Sequence, residues 1–453
     1  MSNTPEKLSV REKIGYGLGD AAANLVFQTM LIFQLSFYTD TFGLTAAAVG
    51  TLFLVVRVWD AFFDPFMGII ADRTRTRWGR FRPWILWTAV PFGLAACLAF
   101  TTPNFGATGK LIYAYVTYTV LMMVYSANNL PYSALTGVMT GDSIERTSLS
   151  SYRFVSAMLA AFVVQGLAMP LVQYFGRGDD AKGYQLTMRL FAVFCAILFL
   201  ITFWTTRERV RPDPSQRSSI KQDFADLIRN VPWIVLFILT VLIFVTLALR
   251  GGVLLYYFKY YVGREDLFSA FNVAGLAASI VGILFSKMLT IRFGTKATYM
   301  VGLTLTAVFM ALFFLIPPQA VALAFVMQVL VQLAYGPTIP LLWAMMADVA
   351  DYSDWKNGRR ATGVIYSAIV FGLKAGLGLG GAIGGWILGY HGYVANVEQS
   401  AESLHGIVLM TSIYPAIPLI IGVVCLYYYP INSEIGARMQ DELIERRKHY
   451  ASA

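Results

Sequence analysis

From Lys13 to Tyr429 the chain is a train of apolar segments joined by short polar connections, each segment close to the roughly 20 residues an α-helix needs to cross a bilayer. That pattern leaves few folds open. Hydrocarbon offers no hydrogen bonds to backbone N–H and C=O groups, so such segments span it as helices that satisfy their own. Of 453 residues, 57% are hydrophobic and only 13% charged, and the mean hydropathy is +0.60, far from the composition of a water-soluble domain. The reading is an all-α integral membrane protein.

Twelve segments meet the length criterion, at about 14–40, 46–71, 83–101, 110–133, 151–175, 186–206, 232–260, 266–289, 296–316, 320–347, 363–390 and 405–430. An even count puts both termini on one side. Lys and Arg gather before the first span, at Arg73 to Arg82, around Arg146, from Arg207 to Arg229, at Arg292 and Lys296, from Lys356 to Arg360 and from Arg438 to Lys448. These are alternate loops, so the positive-inside rule makes both termini cytoplasmic. The opposite loops, such as "TDTFGLTA" and "HGYVANVEQSAESLH", carry almost no positive charge; residues 176–189, with Arg177, Lys182 and Arg189, are the exception. The same clusters account for the formal charge of +9 without a nucleic-acid partner. Cys97, Cys195 and Cys425 lie in apolar spans with no CxxC or metal-like spacing and read as small buried residues. The polar N-terminus has no cleavage signal, so the first helix is expected to direct insertion into the cytoplasmic membrane, the inner membrane of a Gram-negative cell. A monomer surrounded by membrane lipid is expected.

One long hydrophilic connection divides the chain. It predicts an N-terminal six-helix bundle over 1–206, a cytoplasmic linker over 207–230, and a C-terminal six-helix bundle with a cytoplasmic tail over 231–453. "GIIADRTRTRWGRFRPW" between spans two and three has a shorter counterpart, "GILFSKMLTIRFGTKATYM", between spans eight and nine, as an internal duplication would leave. Two pseudo-symmetric six-helix bundles resemble the major facilitator architecture, whose halves move against each other around a midplane site.

Asp60 and Asp64 sit in the second span, four residues apart and on one helix face with Arg57. A carboxylate at membrane depth costs at least ~2.5 kcal/mol, so two of them call for a cation, a proton or a water-filled cavity. The competing reading is an Arg57–Asp60 ion pair, which still leaves a second carboxylate to explain. The arginines of "ADRTRTRWGRFRPW" fix topology and pair with acidic helix ends.

Asp20, Asn24 and Gln28 form a polar stripe along the first span, and Tyr125, Asn128, Asn129 and Tyr132 a patch on the fourth. Such stripes bind a polar ligand or hold helices together. Span ten carries Gln328, Gln332, a "YGP" interruption and Trp343, which either stacks on a ligand or packs as an ordinary tryptophan. Gly372, Gly376, Gly380 and Gly384 recur every four residues beside Lys374, a spacing that admits close helix contact. Arg250 in span seven has no obvious local partner; with Arg153 and Lys374 it either biases a cavity toward positive charge or pairs with carboxylates such as Asp20. No HExxH, phosphate loop or Ser/His/Asp arrangement is present, His391, His405 and His449 lie at loops or termini, and "GLGLGG" follows no strand. No enzyme and no cofactor is expected.

"REKIGYGLGD", "FYTD", "GTLFLVVRVWDAFFDP", "RTRWGRFRPW", "SYRFVSA", "MMADVADYSDWKNGRR" and "GLKAG", in that order, resemble the glycoside/pentoside/hexuronide:cation symporters, the family of melibiose permease. The resemblance implies that Asp60 and Asp64 are cation-site carboxylates, that Ser126 is a hydroxyl near the same cation, and that Arg153 and Lys374 are basic residues near the central cavity. The sequence departs from the melibiose pattern at Phe63, where the sodium-coupled relative has an asparagine ligand, and at Asn24 and Asn129, where it has sugar-binding aspartates. Ser133 replaces an aromatic residue. Sodium needs several oxygens to replace its hydration shell and phenylalanine supplies none, whereas a proton needs one carboxylate. Proton coupling is therefore expected ahead of sodium. Asparagine still donates to and accepts from sugar hydroxyls. The expectation is uptake of a xyloside- or glucoside-type glycoside or oligosaccharide in symport with a cation. Asp60, Asp64 and Ser126 would bind the cation, and Asp20, Asn24, Gln28, Tyr125, Asn129, Arg153, Trp343 and Lys374 the sugar. The alternatives are a hexuronide or glucuronide symporter and a non-transporting sugar sensor.

Overall fold

The computed structural model describes residues 7–140, 143–209, 229–357, 362–432, 434–436, 438, 439, 441 and 442. Most of the 207–230 linker, and Arg359 and Arg360 of the basic loop after span ten, lie outside the described residues. Among the described residues twelve helical spans are long and apolar enough to cross a membrane, and the chain is all-helical.

Two compact units are formed, the first from Met1–Ser215 with Tyr393–Val397, the second from Gln216–Gly392 with Glu398–Ala453. The first contains α1 (Val10–Ser36), α2 (Ala46–Arg73), α3 (Arg82–Ala99), α4 (Ala107–Met139), α5 (Ser143–Gly176) and α6 (Asp180–Thr205). The second contains α7 (Val231–Tyr256), α8 (Phe268–Phe293), α9 (Thr295–Leu312), α10 (Val321–Tyr335), α11 (Thr338–Asn357), α12 (Thr362–Tyr390), α13 (Ala401–Thr411) and α14 (Ile413–Tyr427). The opening helix of each unit ends in a π-helical turn, Phe37–Thr41 after α1 and Tyr257–Val262 after α7.

Local chemistry sets the helix ends. Ser9 accepts from the Glu12 amide while the Glu12 carboxylate accepts from the Ser9 amide, a reciprocal cap at the start of α1. Thr45, Asp179, Asn230 and Ser400 cap α2, α6, α7 and α13. The apparent polar loop at 176–189 is mostly helix: Asp179 starts α6, so Lys182 lies in its first turn and Arg189 within the span. Span ten breaks at "YGP" into α10 and α11, as its sequence suggests, and span twelve, expected to be continuous, breaks at Ser412.

Apolar side chains fill the interior and also cover much of the exterior. Large apolar side chains such as Trp204, Leu284 and Ile291 face outward, as lipid-facing surfaces require. In the first unit Phe37, Phe42, Phe100 and Tyr184 pack ring against ring. The second unit closes around Leu236, Leu239, Tyr299, Leu303, Met345 and Leu419.

The loop between α2 and α3 is held by a single acid from the end of span six. Glu208 accepts the backbone N–H groups of Arg80, Phe81 and Arg82 at 2.7 to 3.0 Å, neutralising the N-terminus of α3. Gly79 at φ +111° makes room, since a Cβ there would lie 2.4 Å from that carboxylate. Arg82 donates to the Phe203 carbonyl at 2.7 Å, so this arginine is tied to the last turn of α6.

Candidate functional site

The α2 face carrying Arg57, Asp60 and Asp64 meets α4 inside the first unit. Asp60 is 1% exposed and Ser126 fully buried, and the Ser126 hydroxyl donates to Asp60 Oδ1 at 2.8 Å. Arg57 approaches the other oxygen, Oδ2, at 3.9 Å, too long for a hydrogen bond. The ion-pair reading of Arg57 and Asp60 is thus met only loosely. Asp64 lies one turn on, half-buried, with Phe63 beside it. Pro65 has no amide hydrogen, so the Ala61 carbonyl loses its helical donor next to this cluster. Asp60 thus meets a hydroxyl at hydrogen-bond distance and a guanidinium more loosely, with a second carboxylate one turn on, oxygen chemistry suited to a proton or a small hard cation.

On α1, the Asn24 amide donates to the Asp20 carbonyl at 2.9 Å and Gln28 reaches Asn24 Oδ1 at 3.5 Å, so the stripe is linked along the helix. The Asp20 carboxylate turns to α5, where Arg153 Nε lies 3.2 Å away. Pairing Arg153 with Asp20 was one of the two roles the sequence allowed it. The Arg153 guanidinium covers the face of Tyr132 at 5.2 Å. Tyr132 is itself stacked on Tyr16 at 4.6 Å and donates to the Tyr16 carbonyl at 2.6 Å.

The α4 patch therefore divides. Asn128 donates to Thr88 of α3 at 2.7 Å and, with Tyr132, holds helices together. Asn129 and Ser133 remain half-buried. Tyr125 packs between Phe27 and Phe92. The Thr88 partner had no sequence signal, because nothing in a span marks which threonine faces a neighbouring helix.

In the second unit Trp343 is half-buried against the core, and Lys374 is half-buried on α12. Gly376 and Gly380 press α12 onto α7: a Cβ at either would lie 2.5 Å from a carbonyl oxygen of Val241 or Val245. At Gly384 the nearest atom is 3.8 Å away, so the stripe is a contact for only part of its length. Arg250 does have partners. Its Nη2 donates to Gln328 Oε1 at 2.9 Å and its Nε to the Thr411 carbonyl at 3.1 Å. Pro415 cannot supply the amide that would have bonded Thr411, and the guanidinium takes its place at the break in span twelve. Gln328 is 2% and Arg250 5% exposed, so both serve the interior of the unit.

Residues 15–433 match the family described as MFS/sugar transport protein. The chain is 38% identical to the inner membrane symporter YicJ of Escherichia coli (strain K12), over 98% of this chain and 96% of that protein. It is 36% identical to the isoprimeverose transporter of Lactiplantibacillus pentosus, over 96% of this chain and 91% of that protein. The crystal structure of the nucleoside transporter NupG shares the fold at 15% identity, with a TM-score of 0.62 over 91% of this chain and 98% of that one.

Proposed function

The chain belongs to the MFS/sugar transport protein family, and on that footing we propose that it takes up a small glycoside or oligosaccharide, of xyloside or glucoside type, in symport with a cation. It is a multi-pass membrane transporter and not an enzyme. The proposed coupling ion is H+ ahead of Na+, and the proposed cycle is alternating access by two six-helix bundles, with both termini and the 207–230 linker in the cytoplasm and the chain acting as a monomer. A symporter and an isoprimeverose transporter among its relatives support this reading.

The observation that carries it is the buried Ser126–Asp60 hydrogen bond with Asp64 one turn away. A membrane-buried carboxylate that already holds a neutral donor keeps its charge available for a transported ion. The proposed sugar contacts in the first unit are Asp20, Asn24, Gln28, Tyr125, Asn129 and Arg153. Trp343 and Lys374 are the candidates of the second unit. Lys374 is also what favours the second reading, a hexuronide or glucuronide carrier, since a half-buried ammonium suits a carboxylated sugar. The test is uptake into proteoliposomes of neutral and acidic glycosides under an imposed proton or sodium gradient. The proposal expects concentrative uptake of a neutral glycoside, and no gradient-driven uptake of any sugar contradicts it.

A further inference from the structure

We infer that Asp20 makes the sugar site selective for uncharged glycosides, by cancelling the charge of Arg153. This rests on the sugar-transport reading above and narrows its substrate class. The pair is built by the sequence "GYGLGD". A Cβ at Gly17 would lie 2.6 Å from Ser156 Oγ and 2.8 Å from the Tyr152 carbonyl of α5, and one at Gly19 would lie 2.5 Å from the Tyr132 ring. Only glycine lets α1 approach this closely, and the approach brings the Asp20 carboxylate within 3.2 Å of Arg153 Nε.

The guanidinium is then fixed on two sides, by Asp20 along one edge and by the Tyr132 ring against its face. Tyr132 is in turn anchored to Tyr16. The Arg153 side chain is 28% exposed while that of Asp20 is 10% exposed, so the acid is the more enclosed partner and the arginine keeps part of its surface open. In the proposed site its N–H groups donate to neutral acceptors such as hydroxyl and ring oxygens. A uronide or sulfonate entering the same place brings a second negative charge to an arginine already neutralised, and meets Asp20 as a like charge. Besides its proposed contact with the sugar, Asp20 acts on the substrate's charge through Arg153.

The test compares p-nitrophenyl β-glucoside, β-xyloside and β-glucuronide as competitors of glycoside binding to the purified full-length protein. Wild type should prefer the neutral compounds. Asp20→Asn keeps the shape and removes the charge, and should shift the neutral-to-glucuronide preference by about tenfold or more toward the glucuronide, as expected when one unit charge is uncovered at short range in a partly desolvated site. Asp20→Ser should shift it in the same direction, which covers a failure of the first variant to fold, and Asp20→Glu should restore the wild-type ratio. Adding Arg153→Gln to Asp20→Asn should abolish the gain, an outcome that a purely structural role for Asp20 does not produce. An unchanged ratio in both Asp20→Asn and Asp20→Ser overturns the inference alone. Failure of every variant and of wild type to bind any of the three compounds overturns the sugar-transport reading together with it.

Discussion

Ser126 donates to Asp60 Oδ1 across 2.8 Å, and neither side chain is open to solvent. The bond joins α4 to α2 and fixes the orientation of the Asp60 carboxylate. Hydrogen bonds to charged groups contribute about 1.5 to 3 kcal/mol, or roughly tenfold to a hundredfold in an equilibrium constant. Ser126→Ala should therefore weaken the dependence of sugar uptake on the coupling cation by about that factor, while Ser126→Thr should retain it. Measuring uptake against cation concentration checks this, and an unaltered cation dependence in Ser126→Ala would detach Asp60 from coupling.

Asp64→Asn should abolish gradient-driven accumulation, and Asp60→Asn should do so to a similar or lesser degree, while both retain sugar exchange between equal internal and external pools. The shared helix face of the two carboxylates and the burial of Asp60 motivate the prediction. Concentrative uptake at the wild-type level in both variants is the result that would refute it.

For the α1 stripe, Asn24→Ala and Asn129→Ala should each lower sugar affinity by about threefold to tenfold, the loss expected for a neutral hydrogen bond worth about 0.5 to 1.5 kcal/mol. Ligand binding measured by competition decides it. If both variants bind sugar as tightly as wild type, the stripe belongs to helix packing.

Arg250→Met should act on stability instead of on transport specificity. It leaves the Thr411 carbonyl and Gln328 Oε1 without their donor inside the second unit, at a cost of about 1 to 3 kcal/mol for each buried group left unpaired. A lower melting temperature in detergent with an unchanged order of sugar preference is expected. A change in that order at unchanged stability would return Arg250 to the substrate pathway.

The spans were legible in the sequence because apolar length is a property of the chain itself, and the break at "YGP" was legible because glycine and proline act locally. The break at Ser412 was hidden: Pro415 and Pro418 lie three and six residues beyond it, and the group that stabilises it, Arg250, comes from span seven. Asp60, Asp64 and Ser126 were candidates from charge and resemblance, and the structure brings Asp60 and Ser126 into contact. Whether a polar residue in a span faces a ligand or a neighbouring helix depends on helix rotation, which composition does not encode. For that reason Asn128, adjacent to Asn129 in sequence, turns instead to Thr88.

The coupling ion offers the most direct test of the whole account. Phe63 brings no oxygen to the Asp60 and Asp64 cluster, and a proton needs none beyond a carboxylate. Cells or vesicles expressing the protein should alkalinise a weakly buffered medium when a transported glycoside is added, as read by a pH electrode; Asp64→Asn should abolish the signal, and sodium should leave sugar affinity unchanged. Sodium-stimulated uptake with no sugar-induced proton movement would contradict this, and would mean that Ser126 and the Ala61 carbonyl released by Pro65 supply the oxygens that Phe63 lacks.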